Sequence, residues 1–458
     1  MSAVAAPLHV EANASPPRLL PPDATYGEVT DIVASGMERR FGRVWWIALG
    51  VSLVGTIVML ASIWTLLSEG IGVWGNNAIA VWGFDVGNYV WWIGIGNAGT
   101  LISSMLLLTR QRWRAAINRY AEAMTLFAAA LAGLYPLLHL GRPWYAYWLA
   151  PYPNTMDLWP QWRSPLVWDM VAIASYLIFS ALFWYTGLIP DFATLRDRSR
   201  GFRQVVYGVL ALGWQGSSRQ WKHYKSFYTA MAALGVPLVV SLHSVVGLDY
   251  AATLMPGWQE TIFPPYFVVG AMFSGFAMVV TLTVPIRWGL GLQRVITAEH
   301  LDAMGKFILF GALVMGLSYA LEWFNAWYGG NDVERDLVLF QFTGAHAWLY
   351  WTMLACNCAV PQLLWWPAAR RSAALLLATS VAVNIGMWLE RLLINIDTLT
   401  HGHLPARWGF YVPTVWDWTL FGGSLSLFTL LFLLFTRFVP AVSIHELREL
   451  ARQEGAAR

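Results

Sequence analysis

Cysteine is nearly absent from this chain: 458 residues hold two, Cys356 and Cys358. An iron–sulfur cluster usually takes four thiolates, so this pair cannot carry one and reads as small packing residues. Charge is scarce as well, at 12% Asp, Glu, Lys and Arg against about 25% in a typical soluble protein. That shortage excludes an ordinary soluble domain and, with a net charge of only +3, gives no footprint for nucleic acid. Nucleotide signatures are missing too. There is no P-loop, and GIGNAG at 94–99 fits the dinucleotide fingerprint by spacing only, because no strand precedes it. The run reads instead as small residues that let helices approach closely. Among nine histidines no pair repeats along one helix at the spacing that stacks two haems, so neither stacked haems nor a metal site is expected here, while a single bis-histidine haem stays open because His139, His243 and His346 fall at similar depth. The first residues, rich in Ala and Pro, lack an early apolar run and do not resemble a signal peptide.

What remains is apolar: 57% of the residues are hydrophobic and 28 are tryptophan. Ten stretches near the ~20 residues that cross a bilayer read as transmembrane helices, at 43–67, 84–108, 119–139, 165–188, 225–248, 262–287, 304–328, 344–366, 371–394 and 414–437. The fold class expected is therefore an all-α polytopic membrane protein. It divides into a tail over 1–42, a ten-helix membrane domain over 43–440 and a second tail over 441–458. Of 29 Lys and Arg, only Arg142, Arg163, Arg335, Arg391 and Arg407 fall on one side of this topology. The positive-inside rule then puts both termini in the cytoplasm, with the chain a multi-pass protein of the cell's inner membrane. Residues 201–217 read as an interfacial segment. Ser443 and Glu446 are spaced as a capping box for a last cytoplasmic helix.

Ionisable residues inside a bilayer are costly and mark function by default. Asp85, His139, Asp169, His243, Asp249, Glu322, His346, Glu390 and Asp417 all map to the outer side, and Glu122 is the exception. His139 ends the third helix and Asp169 opens the fourth, so the two can face one another at the outer boundary. Histidine accepts and passes protons near neutral pH, and a carboxylate beside it can orient it or serve as the next base. Such a pair suits a hydroquinone, which sheds two protons with its two electrons. The plainer alternative is a helix cap for His139 and an ion pair of Asp169 with Arg142 or Arg163. His243 and Asp249 close the fifth helix and can extend a proton exit. Glu390 and Arg391, adjacent on one helix, point about 100° apart and are expected to pair elsewhere, Arg391 with Glu322 or Asp417. Toward the inner side, Asn97, Thr100, Ser103, Ser104 and Glu122 form a polar stripe that could be half of a proton path. Trp168 is one of several outer-end tryptophans, Trp159 among them, that either anchor the headgroup layer or line a pocket for a flat ring.

Several runs carry a family resemblance: WIGIGNAGTLISSMLLLTRQRWRAAINRYAEAMT, HLGRPWYAYWLAPYPN, SPLVWD, GLIPDFATLRDR and IFPPYFVVGAMFSGFAM. They resemble the NrfD/PsrC-like membrane subunits, most of all the ActC-type quinol-oxidising subunits of bacterial alternative complex III. The resemblance implies ten helices, eight of them in two four-helix bundles (the second to fifth and the sixth to ninth), with the other two peripheral. It also implies a quinol site, for menaquinol or ubiquinol, at the outer face and no haem or cluster in the chain itself. Electrons would pass to an iron–sulfur subunit and on to multihaem and monohaem cytochrome c subunits, with a second NrfD-like membrane subunit and membrane lipids as further partners. Carried onto this sequence, the quinol-site positions are His139 and Asp169, with Asp249 a further contributor; the residue reading adds His243 to the catalytic positions and Trp168 and Arg142 to the quinol-binding ones.

One residue departs from the family pattern. Where the GIGHAGT run has histidine, this chain has Asn97, an amide that cannot relay a proton by titrating. Two other readings stay open: an NrfD-like anchor of a molybdopterin reductase, and a secondary transporter without a redox role.

Overall fold

The computed structural model describes residues 18–21, 24–38, 42–149 and 162–456. Residues 1–17 of the tail expected over 1–42 and the loop residues around Trp159 lie outside these. The helices are α1 (Tyr26–Glu38), α2 (Arg43–Glu69), α3 (Phe84–Leu108), α4 (Asn118–His139), α5 (Pro165–Arg198), α6 (Phe202–Leu210), α7 (Ser218–Ala251), α8 (Phe263–Gly289), α9 (Ala298–Tyr328), α10 (Asp332–Thr343), α11 (Ala347–Leu354), α12 (Pro367–Arg371), α13 (Ala373–Thr400), α14 (Val415–Phe438) and α15 (Ile444–Ala456). Among the described residues there is no strand, and nine of their helices, α2, α3, α4, α5, α7, α8, α9, α13 and α14, are long and apolar enough to cross a membrane.

The tenth stretch expected, 344–366, is not one regular helix. It starts as α11, widens into a π-helical turn over Ala355–Ala359 and tightens into a 3₁₀ turn over Val360–Trp365. Pro361 supplies the reason, since a proline inside a helix removes one backbone donor and its ring collides with the carbonyl four residues back. The broken stretch still runs the length of the bundle. Near its start His346 pairs with Asp397 at 2.7 Å. Just past its end Arg370 pairs with Asp302 at 2.8 Å, at the beginning of α9.

Helices α3, α4, α5 and α7 pack as one four-helix bundle, and α8, α9, α13 and the broken α11 stretch as a second. The bundles meet through α3 and α7 on α8 and through α3 on α13, while α2 and α14 pair outside, against α4. The most apolar window of α3 is 89% buried and that of α2 only 22%, which makes α3 the central post. Small residues let it serve as one. A Cβ on Gly99 would sit 2.0 Å from the carbonyl oxygen of Ala121, and one on Gly275 would sit 1.8 Å from the Cβ of Ala98. Gly99→Ala therefore forces α3 away from α4, and we expect a loss of about 1–3 kcal/mol, read as a lower unfolding temperature in detergent. An unchanged unfolding temperature would show that the contact is slack.

The end of the bundle with His139, Asp169 and Asp249 is the outer end here, and the arginine-rich opposite end the inner one. At the inner end α1 packs on α15, and Glu454 accepts from the backbone of Leu19 and Leu20 and pairs with Arg112. The capping box expected at α15 is replaced by longer reaches. Glu446 pairs with Arg114 at 2.7 Å and accepts from Asn118 at 2.9 Å. The Ser443 hydroxyl lies among Arg119, Asp191 and His445. Buried guanidiniums at the start of the first bundle attract these groups more strongly than a helix start does. A second expectation also fails. Arg391 does lie beside its neighbour Glu390, at 3.2 Å, because its long side chain folds back over the rings of Phe267 and Tyr266, 4.0 and 5.4 Å away. Asp417, offered as its partner, instead caps α14, accepting from the Thr414 backbone at 2.7 Å and from Gly75 at 2.8 Å.

Candidate functional site

Pro136, one turn before the end of α4, and Gly133 thin the wall of the first bundle at its outer end. A cavity of about 410 Å³ opens there between α3, α4, α5 and α7. Its lining is mostly apolar, with Val86, Val90, Leu137, Met170 and Ile173, and five polar side chains converge on it: Asp85, Tyr89, His139, Asp169 and Asp249. Small-molecule sites have this composition, apolar walls with a few placed polar groups. Leu137 and Leu140 line the cavity yet are 39% and 43% exposed, so its wall reaches the lipid-facing surface of α4. Trp82 and Tyr250 close the far side, Trp82 stacking on Trp258.

The polar groups form two sets. Asp85, in the first turn of α3, accepts from the Gly83 backbone at 3.2 Å and from Asn76 at 3.3 Å, and its other oxygen meets His139 Nδ1. With Nδ1 held there, His139 keeps Nε2 available. One turn further along α3, on the same face, the Tyr89 hydroxyl donates to Asp169. The remaining oxygen of Asp169 and one oxygen of Asp249 are buried with no hydrogen-bond partner among the described residues. Leaving a buried acceptor unmade costs about 1–3 kcal/mol. Both acids line the cavity, and a ligand bringing hydroxyl donors would relieve that cost.

His139, Asp169 and Asp249 are thus brought together as expected, and the other three site residues are not. His243 is buried away from the cavity, its Nδ1 2.5 Å from the Asn97 amide. Depth along α7 placed it correctly, but its face turns toward the middle of α3. Trp168 is 41% exposed and lines a shallow groove with Val171, Ser241 and Leu242. Its indole donates to the Trp162 carbonyl at 2.5 Å. Arg142 is exposed on the loop after α4 and takes no part in the lining. The stripe on α3 does face inward: Thr100 donates to Ser180 at 3.1 Å and Ser103 to Glu122 at 2.5 Å. Tyr89, and the contact of Asp85 with His139, went unseen, although Asp85 and Tyr89 are four apart on one helix. No group of three metal-ligating side chains occurs among the described residues.

Asp85 is a positioning residue for His139. Asp85→Asn removes the carboxylate and keeps the shape, and we expect any proton transfer through His139 to slow about tenfold or more, the scale on which partners that orient a histidine act. An unaltered rate in an assembled protein would leave Asp85 a helix cap only.

A multi-pass membrane protein of two four-helix bundles, the first enclosing an outer pocket of acids and one histidine, belongs to a recognisable class. The comparison with known proteins names it: the chain is a member of the family described as polysulphide reductase, NrfD, whose pattern matches residues 72–401. The match covers α3 to α13, both bundles, and stops short of the α2–α14 pair. Among relatives, a membrane subunit of Halobacterium salinarum, described as that of a putative dimethyl sulfoxide reductase, is 26% identical over 87% of this chain and 91% of its own length. A selenate reductase subunit of Mesobacillus selenatarsenatis is 22% identical over 85% of this chain and 92% of its own.

Proposed function

We propose that the chain is the quinol-oxidising membrane subunit of a redox complex. The observation that carries this reading is the outer cavity, where His139 anchored on Asp85 stands with Tyr89–Asp169 and with two buried carboxylate oxygens that have no donor. A quinol enters from the bilayer past Leu137 and Leu140, its ring against Trp82 and Tyr250 and its tail left in lipid. One hydroxyl donates to Nε2 of His139 and the other to Asp169 or Asp249. Quinol becomes quinone as two protons pass to these bases and leave at the outer end. Two electrons go to a cofactor of a partner docked there, an iron–sulfur subunit. Charged intermediates would be unstable in so apolar a cavity, so electron and proton leave together.

Two partner sets remain from the sequence. The names of the relatives, subunits of dimethyl sulfoxide and selenate reductases, support the molybdopterin reductase set over the cytochrome c set of alternative complex III. The latter rests on the resemblance carried by the five quoted runs, HLGRPWYAYWLAPYPN and SPLVWD among them. Family membership also speaks against a transporter without redox partners. Purification from native membranes through a tag on this chain tests the reading. We expect a partner with iron–sulfur clusters and a molybdopterin subunit. Multihaem cytochrome c in its place returns the chain to the alternative complex III reading, and a chain with no redox partner at all would overturn both.

A further inference from the structure

Helices α5 and α7 each hold 34 residues, about 51 Å at 1.5 Å per residue, far more than the ~30 Å of a hydrocarbon core. With Asp169 and Asp249 near the outer boundary, the excess projects at the inner end. The last turns of α5 and the first of α7 therefore stand in the headgroup layer. Between them and α15 lies a large cavity of about 670 Å³.

Its charges do not balance. Arg196 is matched by Asp197 at 2.8 Å and Lys225 by Glu449 at 2.8 Å. Arg448 and Arg452 line the same cavity, and the hydrogen bonds of Arg448 among the described residues go to Thr30 and Thr194 and not to a carboxylate. Arg448 is held in place by neutral groups, donating to Thr30 at 2.8 Å, with its guanidinium 4.7 Å from the Tyr26 ring centre. Arg452 is exposed. Trp214 and Trp221, in edge contact at 5.0 Å, form part of the rim, and tryptophan is the side chain of the membrane interface. Beside them α6 is fixed to α5 by the Tyr185 hydroxyl on the Leu210 carbonyl at 2.8 Å. Its Phe202, Val205 and Val209 are 83%, 63% and 69% exposed, an apolar face suited to lie against acyl chains.

We propose that this cavity is a binding site for an anionic phospholipid of the phosphatidylglycerol–cardiolipin type. The headgroup phosphate sits on Arg448 and Arg452, whose forked donors match phosphate oxygens, and the acyl chains run along α6. A zwitterionic lipid would bring its own cation to a place already carrying two. Basic pockets between helices on this side of a membrane are a recognised means of holding such lipids.

The test is native mass spectrometry of the full-length protein in its complex, released from nanodiscs of phosphatidylglycerol plus phosphatidylcholine. We expect one anionic lipid to stay bound in preference to phosphatidylcholine. Arg448→Gln with Arg452→Gln should weaken its retention about thirtyfold, the effect of taking two cations from the headgroup layer. Arg452→Gln alone, at an exposed position, should weaken it about fivefold and covers the case in which the double variant misfolds. Equal retention by wild type and Arg452→Gln, or equal retention of phosphatidylcholine, overturns the proposal. So does displacement of the lipid by inorganic phosphate with the same arginine dependence, which would make free phosphate the ligand.

Discussion

An Asp169→Asn variant is expected to assemble with its partners and to lose quinol turnover by about 10²–10⁴-fold, the usual contribution of a general base. Asparagine keeps the shape and still accepts from the Tyr89 hydroxyl that holds Asp169. What it loses is the negative charge and with it the capacity to take a proton, in a residue that lines the cavity and has one carboxylate oxygen buried without a donor. The measurement is steady-state quinol oxidation by the assembled complex, with an artificial acceptor so that the identity of the partner does not enter. A loss below about tenfold would remove Asp169 from the chemistry and leave Asp249 or His139 as the base. Because all three line one cavity, Asp249→Asn measured alongside apportions the work between the two acids.

The second large effect is on folding. Arg119 is wholly buried at the inner end. It pairs with Asp191 at 3.1 Å, approaches Glu122 at 3.5 Å and donates to the Gly187 carbonyl at 2.7 Å. Around it Tyr228 donates to Glu122 at 2.9 Å and the His445 backbone to Asp191 at 3.1 Å. Arg119→Met takes away the cation between two buried carboxylates, and breaking a buried pair from one side costs about 3–5 kcal/mol. We expect poor accumulation in the membrane and a much lower unfolding temperature. Adding Asp191→Asn should recover part of the loss, since it removes one of the stranded charges. A single variant as stable as wild type would mean that the network is not fully desolvated.

The helices were readable because their signals are local. Basic residues end them on one side, Gly and Pro on the other, and apolar runs of membrane length fill the space between. The outer site was half readable for the same reason: His139, Asp169 and Asp249 stand at helix ends, and chain direction alone brings such ends to one level. Rotation about the axis is what a single sequence does not give. His243 has the right depth and the wrong face, and Tyr89, with an unremarked hydroxyl, has the right face. Glu390 and Arg391 show a further limit, because a 100° separation on the helix says nothing of how far an arginine bends. The break after Asn357 is written locally in Pro361, but what the turn places there needed tertiary knowledge. Only with it is the amide seen to reach the Tyr319 hydroxyl at 2.9 Å and Glu390 at 3.3 Å.

The inner ion network also bears on how the protein is made. Ribosomes deliver α4 early, yet Ser443 beside Arg119 comes 324 residues later, and Glu446 beside Asn118 comes 328 later. Until α15 emerges, the first bundle must wait with Arg114 short of its acid. A nascent chain stalled or clipped before that helix would carry every span and the whole outer pocket, and still offer quality-control proteases an open, charged end. Closure of the inner end of the bundle therefore waits for α15.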